Sequence, residues 1–203
     1  MDIKEILKQV RDHTLSVEEA DAALKSYGFD EMGYAKLDVD RKARTGFAEV
    51  IYCSGKADEH LLHIFGRLLE EQGEVLGTRA SAHQYELIRR EYPQVQYDPL
   101  SRILKIEKPD KALEGMIAVC TAGTADISVA EEAAQTAEFF GTKAERIYDV
   151  GVSGIHRLLS RTELIQKANC VVAVAGMEGA LASVLGGLVS RPVIAVPTSV
   201  GYG

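Results

Sequence analysis

Ile117-Ala118-Val119-Cys120 is a short β-rich run that passes straight into Thr121-Ala122-Gly123-Thr124-Ala125-Asp126, a turn of small residues. The same arrangement returns three times. Ala144 to Val150 (AERIYDV) leads into Gly151-Val152-Ser153-Gly154-Ile155-His156-Arg157, and Val171 to Ala175 (VVAVA) into Gly176-Met177-Glu178-Gly179-Ala180-Leu181. Val193 to Val196 (VIAV) leads into Pro197-Thr198-Ser199-Val200-Gly201-Tyr202-Gly203. The runs start 27, 27 and 22 residues apart, with a helical pattern in each gap. Strand, helix, strand at that period predicts right-handed βαβ units, hence an α/β fold whose parallel sheet carries helices on both faces.

Composition changes on leaving this region. Residues 1–110 carry 37 charged side chains and residues 111–203 only 16, whereas glycine rises from 7 to 11. Low charge and small residues suit helices packed closely on a covered sheet. The boundary is expected near Pro109, with a smaller α+β domain over 1–110 and the α/β domain over 111–203. In the first domain, Ile3, Ile6, Leu7 and Val10 predict a helix with one buried stripe. Ser16 and Glu19 form a capping box for a second helix, which Gly28 ends. Strands are expected at Phe47–Cys53, Val75–Thr78, Val95–Tyr97 and Ile103–Ile106. Helices are expected on the Leu61, Leu62, Phe65, Leu68, Leu69 pattern and from Ser81 to Glu91.

With 46% hydrophobic and 26% charged residues, the chain is neither disordered nor fibrous. A net charge of −7 offers no positive field for nucleic acid or an anionic membrane, although a local cationic pocket is allowed. Cys53, Cys120 and Cys170 have no metal spacing and read as reduced, buried thiols. The N-terminus has no signal-like apolar region, and no run reaches the roughly 18 uncharged residues of a membrane span. A cytoplasmic location is expected.

In parallel sheets, ligands gather outside the carboxyl ends of the strands. The Thr121–Asp126 turn permits close backbone approach and offers N–H groups to an anion; an ordinary turn capped by Asp126 or Thr124 is the other reading. His156 and Arg157 fall in the first turn of a helix expected to be capped by Ser153. A cation is disfavoured there unless an anion neutralises it, and a solvent-facing pair is the alternative. Glu178 is the only acidic residue from Leu164 to Gly203. Apolar surroundings would desolvate it and suit it to proton transfer; a charge stabilising a helix N-terminus is the plainer account.

Through the AGTAD, AGMEGAL and RPVIAVP elements, the C-terminal half resembles the AIR carboxylase family, with its flavodoxin-like fold. Including Arg44 to Lys56 (RTGFAEVIYCSGK), the whole chain resembles the LarB family of nickel-pincer cofactor biosynthesis. Where the purine family has a Ser-rich G-S-x-S-D loop and a catalytic His in an A-H-L-P-G turn, this chain has Gly123-Thr124-Ala125-Asp126 and Met177-Glu178-Gly179-Ala180-Leu181. An AIR carboxylase or mutase of purine synthesis, and a non-catalytic nucleotide-binding module, are the alternative functions.

The LarB resemblance implies carboxylation of nicotinic acid adenine dinucleotide at C5 of the pyridinium ring, with phosphoanhydride cleavage to a biscarboxylate mononucleotide and AMP. Carbon dioxide or bicarbonate is the co-substrate; no cofactor is expected to be tightly bound, and magnesium stays open. Glu178 is assigned as base, and Asp126 orients substrate or metal. Thr121, Gly123, Thr124, Asp149, Ser153, His156, Arg157, Gly176, Met177 and Gly179 are substrate-binding candidates, while Lys56 and Arg79 are weaker candidates for closing the site, ordinary solvated cations being the alternative. The resemblance puts the nucleophilic Cys after the V-G-Y-G turn, so residues 1–203 are expected to bind poorly and not turn over. It also implies a homo-oligomer, tetramer or octamer.

Overall fold

The computed structural model describes residues 3–25 and 29–199. The expected helix stop at Gly28 and the turn at Val200–Gly203 lie outside them.

The C-terminal half is built from β7 (Met116–Thr121), α6 (Ile127–Phe139), β8 (Lys143–Ile147), α7 (Ile155–Leu159), α8 (Thr162–Gln166), β9 (Cys170–Ala175), α9 (Ala180–Leu188) and β10 (Val193–Pro197). Its four strands run in the order β8-β7-β9-β10 and are all parallel, as the spacing predicted. Side chains alternate across the sheet. Ala118, Cys120, Val171 and Ala173 pack under Leu158 of α7, Ile165 of α8 and Leu181 and Leu185 of α9. Val119, Val172 and Val174 face Ala130 and Ala134 of α6. Helices therefore cover both faces, and alanines let α6 lie close.

The N-terminal half contains α1 (Ile3–Arg11), α2 (Val17–Lys25), β1 (Asp30–Glu31), β2 (Lys36–Leu37), α3 (Arg41–Thr45), β3 (Ile51–Tyr52), α4 (Asp58–Gln72), β4 (Val75–Thr78), α5 (Ala82–Glu91), β5 (Gln96–Asp98) and β6 (Ile103–Ile106). Strands β3-β4-β6-β5 form a mixed sheet in which β3 and β4 are parallel and the other pairs antiparallel. One face buries Ile51, Val75 and Leu104 against Leu61, Phe65 and Leu68 of α4.

The capping box at α2 forms as expected: the Ser16 N–H donates to Glu19 at 2.8 Å and the Glu19 N–H to Ser16 Oγ at 3.1 Å. The stripe on α1 is not buried as a whole, because Ile6 is enclosed while Ile3 and Leu7 stay exposed. The expected strand over Phe47–Cys53 shrinks to two residues. Phe47 leaves the ladder to pack edge-on against Phe140, and the Glu49 carboxylate accepts the Asp38 N–H.

The second face of the N-terminal sheet is closed by the other domain. Leu76 and Ile103 cluster with Phe139 of α6, and Glu132 and Gln135 of the same helix hold Arg79 and Asp98. Helix α6 is thus a shared layer between two sheets.

Candidate active site

The chain steps from β7 to β8 on one side and then returns past β7 to lay down β9 and β10. This reversal opens a crevice outside the carboxyl ends of β7 and β9, the place where open α/β sheets bind ligands. A cavity of about 550 Å³ lies there. Its wall is formed by the turn after β7 (Ala122–Asp126), the turn after β8 (Gly151–Ser153, with Arg157) and the turn after β9 (Gly176–Glu178), floored by Ala175 and Leu181.

Each turn is held by specific bonds. Asp126 is only 5% exposed, and its carboxylate accepts the Thr198 hydroxyl at 2.7 Å and the Gly123 N–H at 3.4 Å. It therefore latches the β7 turn to the chain leaving β10, and both its oxygens are engaged. Thr121 is fully buried: its hydroxyl accepts the Asp149 N–H at 3.0 Å and its carbonyl the Val150 N–H at 2.9 Å. Asp149, in a left-handed conformation at φ +58°, presents its carboxylate to the Arg157 guanidinium.

Arg157 reaches the wall passing close over Gly154, where a Cβ would stand 2.7 Å from Arg157 Nε and the guanidinium would have to shift. Gly151 lets the β8 turn close on the β7 turn, for a Cβ on it would meet the Ala122 carbonyl oxygen at 2.6 Å.

The structure brings together Gly123, Thr124, Asp126, Ser153, Arg157, Gly176, Met177 and Glu178 of the expected residues. Others are corrected. Thr121 and Asp149 support the wall without lining it, and Gly179, at φ +68°, turns the chain into α9. His156 is exposed and off the wall. Ser153 does not cap α7: it lies in a 3-10 turn, and Gly154 precedes the helix with no side-chain cap.

Lys56 and Arg79 do not line the cavity, because they follow strands of the other sheet; Arg79 pairs with Glu132 at 2.7 Å. Glu178 is exposed rather than desolvated, since its apolar sequence neighbours Leu181 and Leu185 point into the sheet. The Asp126–Thr198 tie spans 72 positions and had no local signal.

Cys53 and Cys120 are fully buried, and burial pushes both thiols up to about 12, against the pull of Lys56 and Arg102 at Cys53. Both stay protonated near neutrality. Cys170 is partly buried and opens β9, about 17 Å from the cavity end of that strand at roughly 3.3 Å per residue. Among the described residues no cluster of three His, Cys, Asp or Glu could hold a metal, and no helix is long and apolar enough to cross a membrane.

Residues 29–108 match the family model for a LarB/PurE-like N-terminal domain, and residues 116–202 match that for AIR carboxylase. An uncharacterised protein of Methanocaldococcus jannaschii is 35% identical over 216 residues, covering 99% of this chain and 82% of that protein. The N5-carboxyaminoimidazole ribonucleotide mutase of the same organism is 33% identical over 85 residues, 40% of this chain and 52% of that enzyme. Such domains are those of carboxylase-type enzymes.

Proposed function

The chain belongs to the family that joins a LarB/PurE-like N-terminal domain to an AIR carboxylase domain, and from that premise we propose that it carboxylates a pyridinium dinucleotide at the mouth of its parallel sheet. The substrate in this reading is nicotinic acid adenine dinucleotide, with carbon dioxide or bicarbonate. The products are the 3,5-biscarboxylate mononucleotide and AMP. The observation that carries the reading is the convergence of three strand-end turns on one cavity lined by the Arg157 guanidinium and the side chains of Asp126 and Glu178.

A pyridinium ring is electron-poor and does not attack carbon dioxide. Addition of a thiolate at C6 gives a dienamine whose C5 carries electron density. C5 then bonds to the carbon of carbon dioxide, its proton passes to a base, and expulsion of the thiolate restores the ring. Water completes the separate cleavage of the anhydride.

Glu178 is the base of this proposal, and substrate filling the cavity displaces water from its side. Arg157, oriented by Asp149, and the Thr124 and Ala125 N–H groups hold phosphate or carboxylate. None of the three cysteines fits the thiol role: two are buried and protonated, and Cys170 opens β9 at the end away from the cavity. In this reading the thiol is a group other than these three. Closed tetrameric or octameric assembly belongs to the same proposal and is read by sedimentation.

The test supplies the full-length protein with the dinucleotide and ¹³C-bicarbonate and follows products by mass spectrometry. One ¹³C per mononucleotide and an equal amount of AMP are expected. Glu178→Gln should lower the rate about 10²- to 10⁴-fold with dinucleotide affinity retained. Unlabelled product, or a variant as fast as wild type, contradicts the assignment.

The 33% identity to the mutase favours a second reading, a purine carboxylase. The β9 turn, Gly176 to Leu181, contains no histidine, so failure to rescue a purine auxotroph is expected.

A further inference from the structure

Met177 is the large apolar side chain of the cavity wall that the fold leaves outside its core. It is 61% exposed, whereas Leu181 on the same wall is 1% exposed and packs under the sheet. Its backbone is left-handed, with φ +54°. An L side chain takes that conformation only against a steric cost, and glycine takes it freely. Gly179, two residues on, does so at +68°. A methionine held at such a position packs with nothing in the hydrophobic core, so core packing does not explain it.

We propose that Met177 is a specificity-determining residue of the cavity, its thioether lying against the face of the bound nucleotide's heteroaromatic ring. The proposal rests on the nucleotide reading above. An unbranched, polarizable thioether suits a ring face, because sulfur and aromatic π-systems attract and the three side-chain torsions adapt to the ring's tilt. Elsewhere on the wall Gly123, Thr124, Gly151 and Ser153 are small or polar, Val152 is partly buried against the core and Leu181 is sealed, so Met177 is the large apolar side chain left open there. Glu178 follows on the same turn, so a ring resting on Met177 lies beside the carboxylate.

Calorimetry on the full-length wild type, Met177→Gly and Met177→Leu with three probes separates the outcomes: nicotinic acid adenine dinucleotide, aminoimidazole ribonucleotide and ribose 5-phosphate. Met177→Gly should weaken the ring-bearing nucleotide that wild type binds about tenfold and leave ribose 5-phosphate within about twofold. Its Tm should stay within about 3 °C of wild type, because relief of the left-handed conformation offsets the added freedom of the unfolded chain. Met177→Leu should restore affinity for the ring.

Unchanged ring affinity in Met177→Gly, or equal losses on all probes, overturns the proposal. Wild type that binds aminoimidazole ribonucleotide and not the dinucleotide contradicts the substrate reading alone, and the same variants then test Met177. Wild type that prefers neither ring to ribose 5-phosphate overturns both.

Discussion

At Gly151 the turns after β7 and β8 come within a methyl group of collision, the Ala122 carbonyl oxygen standing 2.6 Å from where a Cβ would be. Gly151→Ala drives a methyl group into the Ala122 carbonyl, a backbone atom that cannot yield by rotating a side chain. A loss of about 1–3 kcal/mol is expected, read from urea denaturation, together with weaker nucleotide binding; unchanged stability would mean the turns give way freely. Thiol chemistry offers a second check. Cys53 and Cys120 are buried and their pKa values are pushed up to about 12, so at pH 7.5 a disulfide reagent should leave both unmodified in the native protein and label them after denaturation. Rapid native labelling of either would contradict the described burial. Residue types were legible in the sequence where their chemistry is local, as for Gly123, Arg157 and Glu178. Exposure was not: Thr121 and Glu178 sit in similar strings of small residues, yet one is sealed and the other open. Which way a turn residue faces depends on partners far along the chain, such as Asp149 for Thr121.

Helix α6 shows how much one element carries. Ala130 and Ala134 face the parallel sheet, Phe139 and Gln135 face the mixed sheet, and Glu131 and Glu138 grip Arg146 of the edge strand β8 at 3.0 and 2.6 Å. Its bond to β5 gives a pH dependence. Burial raises the Asp98 pKa, but the Ser101 hydroxyl and N–H, the Gln135 amide and the Leu100 N–H outweigh it, and the net effect is a lowered value. A carboxyl that ionises more readily folded than unfolded stabilises the fold above its unfolded value, about 3.9, and loses that contribution as pH falls through the folded value. Between pH 5 and pH 2 the urea midpoint of wild type should therefore fall further than that of Asp98→Asn, and parallel curves would remove Asp98 from the acid response. Elements with clean periodicity and local punctuation, β4, β6 and the Ser81-capped α5, were legible to within a residue. Strand β3 was not, because Phe47 is drawn off by Phe140, a contact across 93 positions that no window of sequence contains.

For the whole molecule, the charge break at residue 111 marks where the chain crosses from one sheet to the other but does not mark two independent cores. Lys111 in the crossing pairs with Glu74 at 2.7 Å, donates to the Phe139 carbonyl and lies 4.2 Å from the Phe139 ring centre. The mixed sheet thus buries its second face on a helix of the other half. This arrangement sets the N-terminal sheet's strand ends, with Lys56 and Arg79, apart from the cavity of the parallel sheet. Hydrogen–deuterium exchange on the full-length protein, with and without nicotinic acid adenine dinucleotide, tests most directly which of the two takes the nucleotide. Slowed exchange at 122–126, 151–157 and 176–181, with 52–57 and 78–81 unchanged, is the expected result. Protection confined to 52–57 and 78–81, or none at the three turns under saturating dinucleotide, would contradict it.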